Sequence, residues 1–341
     1  MKAMVLEEIV PSIEAVNQPL KLKDLPIPKP GPRDLLIKVL ACGICRTELD
    51  EIEGRKKPHL PVIPGHEVVG VVEEVGEEVK GFKVGQRVGV GWIYWACGRC
   101  PYCLRGEENL CDDFKGTGCD ADGGYAEYMV IDERFAVRLP EGLNDLEAAP
   151  LLCAGAIGYR SLRLSGMEDG EILGLFGFGA SGHIVLQMVK YLYPNSKVFV
   201  FTRKKGDPPS LLAEELGADW VGETGQMPPE KLNKAIDTTP SGEVVREALR
   251  VLDKGGRLVI NAIRKETKIP ELDYAQCLWE EKEVKSVANV TKRDIEGFLE
   301  LASKVPIRPE VTVFRLEEAN RALLLLKRGG YRGAGVLKIQ G

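Results

Sequence analysis

Short apolar runs rich in valine and isoleucine fill most of the first 150 residues of this 341-residue chain. LLIKVLACG (35–43), VVGVVEEVG (68–76) and VGQRVGVGW (84–92) are examples, and glycine or proline punctuates them every eight to twelve residues. β-Branched side chains suit a pleated, half-buried surface, and this spacing predicts an antiparallel barrel or sandwich. The Pro-rich LPIPKPGP (25–32) predicts a surface connection.

The pattern changes after Pro150. ILGLFGFG (172–179) and KVFVFT (197–202) read as buried strands. HIVLQMVKYL (183–192), SLLAEELG (210–217) and EVVREALRVLDKGG (243–256) carry helical apolar spacing. KAIDTTP (234–240) and RLVINA (257–262) complete the alternation. Strand and helix in turn imply βαβ units and a parallel sheet. The tail, VTVFRLEEANRALLLLKRGG followed by AGVLKIQG, ends in a helix and a strand that can return to the first domain. The length itself favours two domains over one core.

Composition narrows the function. Net charge is −5, so no strong field draws the chain to nucleic acid or anionic lipid. No apolar run approaches the roughly 20 residues of a membrane span. The N-terminus MKAMVLEEIV lacks a signal core, and the expected compartment is the cytoplasm. Asn and Gln together number 14, against abundant Glu, Lys and Arg, a bias seen in heat-adapted proteins. Nine cysteines without a signal segment point to metal before disulfides.

Four of those cysteines crowd into CGRCPYCLRGEENLC: Cys97, Cys100, Cys103 and Cys111. Two CxxC turns and one longer return can surround a zinc ion tetrahedrally. Four protein ligands leave no open position, so the loop 97–111 is expected to hold shape rather than react. A second set is spread out. Cys45 lies in ACGICRTELD, His66 in PVIPGHEVVG and Cys153 in APLLCAGAIGY. Two cysteines and one histidine make a zinc set of the catalytic type with one open place. Glu67, beside the histidine, can serve as a fourth or switching ligand.

GFGASG places Gly177, Gly179 and Gly182 after a strand and at the start of a helix. Such glycines allow a tight turn and let the backbone approach a pyrophosphate at a positive helix end. An acid at the end of the next strand would bind the ribose 2′-hydroxyl of NAD. Here Thr202 and Arg203 stand in its place, with Lys204 and Lys205 beside them. A hydroxyl and cations suit a 2′-phosphate, so the reading is NADP(H) over NAD(H); the alternative is a merely solvated RKK turn.

In their order, CGICRTEL, GHE, the CGRCPYC loop with its returning cysteine, PLLCAG and GFGASG resemble the zinc-dependent medium-chain alcohol dehydrogenases across essentially the whole chain. SVANVTKRD (286–294) is similar to the bacterial branch. The resemblance implies an α/β chain: a GroES-like, β-rich catalytic domain (1–152), a Rossmann doubly wound parallel sheet (153–290) and a C-terminal return to the catalytic domain (291–341). It implies two zinc ions per subunit, a catalytic one on Cys45, His66 and Cys153 and a structural one on Cys97, Cys100, Cys103 and Cys111. Cys42, Cys119 and Cys277 match no ligand position. Thr47 corresponds to the hydroxyl that contacts the substrate oxygen, and Glu48 to the acid that orients the histidine. Arg46, Lys292 and Arg293 fall at or beside positions that meet the cofactor phosphates; relatives usually have arginine where Lys292 stands.

Asp50 departs from the pattern, because many relatives place a proton-relay histidine there. Three readings stay open: a carboxylate with a shifted pKa, a water relay, or a structural acid. The expected activity is reversible hydride transfer between a primary alcohol or its aldehyde and the cofactor. The expected assembly is a homodimer or homotetramer without nucleic-acid or membrane partners. Competing readings are a zinc-free quinone or enoyl reductase on the same fold and a nucleotide-binding protein that keeps only the structural zinc. The intact Cys45, His66 and Cys153 set weighs against both.

Overall fold

The computed structural model describes residues 1–16 and 18–340. The chain packs as two units. One comprises Met1–Cys153, Val290–Lys304 and Pro309–Gly341, and the other Ala154–Asn289 with Val305–Arg308. Among the described residues no helix is long and apolar enough to cross a membrane.

The first unit is built around the strand Asp34–Ile44. Along one edge it pairs antiparallel with Val68–Val75. On the other, its first half pairs with Tyr128–Asp132 and its second half with Ala334–Lys338, both antiparallel. The sheet continues through Arg87–Val90 to Ala136–Arg138 on one side and to Val311–Arg315 on the other. With both edges occupied, the LLIKVLACGI run is buried almost throughout. The C-terminal strand thus belongs to the same core as the N-terminal residues Met4, Leu6 and Leu20.

The strand Asp34–Ile44 hands over directly to the helix Arg46–Ile52. Cys45 is its N-cap in extended conformation, and the Glu48 carboxylate accepts the Cys45 N–H at 2.8 Å. This is half of the exchange that an N-cap and an acid three residues on normally make. The helix is anchored at its other end by Glu53. That carboxylate accepts the Ile13 N–H at 2.9 Å and the Lys327 ammonium at 2.7 Å, and it also pairs with Arg55.

The second unit is a six-stranded, all-parallel sheet. Its spatial order is Trp220–Glu223, Lys197–Thr202, Ile172–Phe176, Leu232–Asp237, Leu252–Ile260, Glu283–Ser286. Chain order therefore reverses between Ile172–Phe176 and Leu232–Asp237, the switch point at which doubly wound sheets take ligands. Phe176 and Phe201 stack at 4.2 Å between ring centroids in the core beneath. The helix expected over 243–256 stops at Val251, and the strand begins at once with Leu252. Leu252 pairs with Leu232 before the register shifts, so the DKGG turn is absorbed as an irregularity in the ladder. The edge strand Glu283–Ser286 is exposed along its length, beside exposed Trp279 and Tyr274.

Candidate metal and dinucleotide sites

Cys45, His66, Glu67 and Cys153 each offer a ligand atom, and these atoms lie within 4.8 Å of one another. Each arrives from a different local structure. Cys45 sits at the strand-to-helix corner, and His66 and Glu67 immediately precede the strand Val68–Val75. Cys153 lies in a single π-helical turn, Leu151–Gly155, directly after Pro150. A proline within a helix removes a backbone donor, and widened turns of this kind recur at functional sites.

The histidine is oriented from behind. Glu48 Oε1 lies 2.7 Å from His66 Nδ1, and both side chains are fully buried. That contact leaves Nε2 to face the sulfurs, 3.3 Å from Cys153 Sγ. Such a carboxylate behind a ligating histidine fixes ring orientation and raises ligand basicity. The neighbouring Cys153 sulfur, with help from His66, holds the Cys45 thiol well below its ordinary range in spite of burial. Two sulfurs, an imidazole nitrogen and a carboxylate oxygen converge here, and these are the donor types that zinc takes.

Glu67 is packed against the central strand. A Cβ on Gly43 would lie 1.8 Å from Glu67 Oε2 and 2.8 Å from Glu67 Cβ. Glycine inside a strand weakens it, and here it makes room for the carboxylate. Gly65, at φ +99, does the same for the turn before His66: a Cβ there would meet the Tyr125 ring at 2.4 Å.

Thr47 Oγ1 lies 3.6 Å from Cys45 Sγ, on the rim of this set. Arg46 is exposed at the helix start. Asp50 is buried, and its carboxylate accepts a hydrogen bond from Arg55 Nε at 2.7 Å. Trp92, Tyr94 and Trp95 precede the cysteine loop, and of these Trp92 meets His66 edge-on at 5.0 Å between centroids. Trp95 instead packs on Phe135 and under Arg134. Glu51 was not singled out by the sequence; it is buried beside Asp50, and burial, with the Glu48 charge second, pushes its carboxyl well above the usual range.

The four loop cysteines form the other cluster, again with all sulfurs within 4.8 Å. Cys97 Sγ and Cys103 Sγ are 3.9 Å apart, close to the roughly 3.8 Å edge of a tetrahedron with 2.3 Å zinc–sulfur bonds. The turns aim backbone N–H groups at sulfur: Arg99 and Cys100 at Cys97 Sγ, Cys103 at Cys100 Sγ, Cys97 at Cys111 Sγ. The Arg99 and Cys100 N–H groups bring Cys97 down to about 6. Both clusters fit zinc, one with four sulfurs and one with a mixed set. Cys42, Cys119 and Cys277 lie in neither.

In the second unit, Gly177 closes the strand Ile172–Phe176 at φ +85. A Cβ there would meet Thr238 Oγ1 at 2.7 Å, and one on Gly182 would meet the Gly177 carbonyl at 2.8 Å. A Cβ on Gly179 would meet nothing within 4 Å. Two glycines thus serve internal packing, and the third leaves the backbone open at the N-cap of the helix Ala180–Leu192, where a pyrophosphate would approach. Thr202 ends the second strand, its hydroxyl donating to the Lys204 carbonyl, and Arg203 is exposed beyond it. Asp207 caps the following helix through the Ser210 N–H. Glu223, in register with Thr202 on the neighbouring strand, accepts the Lys205 N–H; only strand pairing reveals this acid. Lys292 lies in the first unit, its ammonium 3.8 Å from Glu296, and Arg293 lies against the Gly106 turn.

Comparison with known proteins agrees with this geometry. Residues 31–141 match the alcohol dehydrogenase GroES-like domain. The chain is 44% identical over 327 residues to the probable alcohol dehydrogenase AdhA of Mycobacterium tuberculosis, covering 94% of this chain and 93% of that one. It is 35% identical to an alcohol dehydrogenase of Geobacillus stearothermophilus, over 100% and 99% of the two chains. A solved structure of CAD from Helicobacter pylori, complexed with NADP(H), superposes with a TM-score of 0.87 at 25% identity, covering 99% of both chains. Fold and sites define an oxidoreductase that acts on alcohols. The chain belongs to the zinc-dependent medium-chain alcohol dehydrogenase family.

Proposed function

We propose that this enzyme interconverts primary alcohols and aldehydes with NADP(H), using a zinc ion on Cys45, His66 and Cys153. The observation that carries the reading is the convergence of those three side chains and Glu67 beside the Thr47 hydroxyl. A zinc ion bound there would supply Lewis-acid polarisation of the substrate oxygen. The nicotinamide would take or give the hydride.

The chain's own residues do the rest. Thr47 Oγ1 is placed to accept the proton of the alcohol hydroxyl and pass it outward. Glu48 holds His66 in one tautomer and orientation. Glu67, wedged against Gly43, stands in reserve as an exchanging ligand. Asp50 is committed to Arg55, so the proton path proposed here runs from Thr47 to solvent without it. A second zinc on Cys97, Cys100, Cys103 and Cys111 would fasten the loop. Protein purified without added metal or chelator should carry two zinc ions per subunit and oxidise simple primary alcohols. A single zinc, or two with no alcohol turnover, would reject the reading.

The cofactor preference rests on Thr202 and Arg203, with Arg46, Lys292 and Arg293 as further phosphate contacts. Arg203→Ala should weaken NADPH binding about tenfold or more, as expected for loss of a charge-assisted contact of about 1.5–3 kcal/mol, and barely alter NADH. Equal effects on both nucleotides would reject it. A homo-oligomer pairing through the exposed Glu283–Ser286 edge belongs to the same reading; a native mass equal to that of one 37.5 kDa chain would refute it.

A further inference from the structure

Thr47 and Glu51 lie four residues apart on the helix Arg46–Ile52, on one face, with Cβ atoms about 5–6 Å apart. Thr47 turns its hydroxyl toward Cys45. One turn further, Glu51 is 1% exposed, and neither carboxylate oxygen has a hydrogen-bond partner among the described residues. The buried Thr117 hydroxyl is likewise unpartnered among them. Thr117 donates its N–H to the Trp92 carbonyl at 2.9 Å, and Trp92 abuts His66. The Lys56 ammonium lies 5.5 Å from the centre of the same Trp92 ring. The Lys56 N–H donates to the Asp50 carbonyl at 3.0 Å, which brings Lys56 back beside the end of the helix that carries Glu51.

An unpaired buried carboxyl is costly, and an apolar residue of similar volume would stabilise the fold more. Among the described residues no group hydrogen-bonds these two oxygens, and they sit one helical turn from the residue proposed to meet the reacting oxygen.

We propose that Glu51 and Lys56 form a hydroxyl-reading subsite, selecting alcohols that carry a second hydroxyl two or three carbons from the reacting one. The proposal rests on the alcohol dehydrogenase reading of the Cys45, His66 and Cys153 site. A hydroxyl both donates and accepts, so it can give its proton to a Glu51 oxygen and accept one from Lys56. An alkyl chain leaves Glu51 unpaired, and a substrate carboxylate meets a second acid. A site built to hydrogen-bond a substrate hydroxyl discriminates strongly against the analogue that lacks it.

The test compares kcat/KM for 1,3-butanediol and 1-butanol in the wild-type enzyme, Glu51→Leu, Glu51→Gln and Lys56→Met. The wild type is expected to favour the diol. Glu51→Leu should lower the diol-to-alkanol ratio at least tenfold, with Tm held or raised because an unpaired acid is removed. Lys56→Met should lower the ratio several-fold. Glu51→Gln keeps shape and hydrogen-bonding capacity and should lie between wild type and Glu51→Leu, so it stands in if the leucine variant fails to fold. An unchanged ratio in the Glu51 variants overturns the proposal, and a fall in Tm without a change in ratio assigns Glu51 to an internal contact. A wild-type enzyme inert on both alcohols refutes the underlying dehydrogenase reading, and this proposal with it.

Discussion

Cys45→Ser is expected to lower kcat/KM for alcohol oxidation at least about a thousandfold. Polarisation of the substrate oxygen by a metal is worth several kcal/mol at the transition state, and each ~1.4 kcal/mol is tenfold in rate. Cys153, with help from His66, holds the Cys45 thiol low, so Cys45 would meet a metal as the anion. A serine hydroxyl offers no comparable anion. Zinc content should fall from two per subunit to one. NADPH binding, followed by its fluorescence, should stay within about twofold, because the glycine turn at Gly177–Gly182 belongs to the other unit. Retained turnover in a one-zinc protein would sink the assignment of the metal to this set.

Cys103→Ser is expected to act on stability instead. The loop around the four sulfurs has almost no apolar core of its own. Its short helix, Pro101–Leu104, buries no residue, and neither does the turn Glu108–Leu110. Leu104 is 74% exposed and Leu110 40%. A zinc ion on the four sulfurs would supply what burial does not, as in small zinc domains whose binding energy is their folding energy. A loss of about 3–5 kcal/mol would lower the melting temperature of the first unit by roughly 10 °C. Limited proteolysis should then cut within 97–111, and zinc should drop to one per subunit while turnover at low temperature survives. An unchanged melting temperature would show that the lobe is held by other contacts; loss of turnover in a protein that stays folded would mean the loop reaches the chemistry.

These two variants separate what the chain writes locally from what it assembles. The structural cluster was legible because its ligands are sequence neighbours: a CxxC turn brings its own sulfurs together whatever the rest of the chain does. The Gly177, Gly179 and Gly182 turn was legible for the same reason, since strand, turn and helix are consecutive. The change from short valine-rich runs to alternating strand and helix likewise reported two kinds of sheet.

Other features depended on register and burial between distant segments. The Cys45, His66 and Cys153 set could be suspected from residue types, yet its convergence requires the strand Asp34–Ile44 to pair with Val68–Val75 and a widened turn to present Cys153. Gly43 gave no sign that it clears space for Glu67. Asp50 could be read as a relay, a water-assisted group or a structural acid; the bond from Arg55, five residues on, engages its carboxylate. Trp92 and Trp95 looked alike in sequence, and only packing put the first against His66 and the second beneath Arg134. Glu51 had no local signature at all, because a carboxylate is marked as unusual only by what fails to surround it. By itself, then, the sequence determined the two domain types, the sulfur loop and the phosphate turn, all set by short-range geometry. Tertiary structure decided which carboxylates are spent on partners, as Asp50 is on Arg55, and which lie buried without one among the described residues, as Glu51 does, since burial and pairing are properties of the whole packed chain.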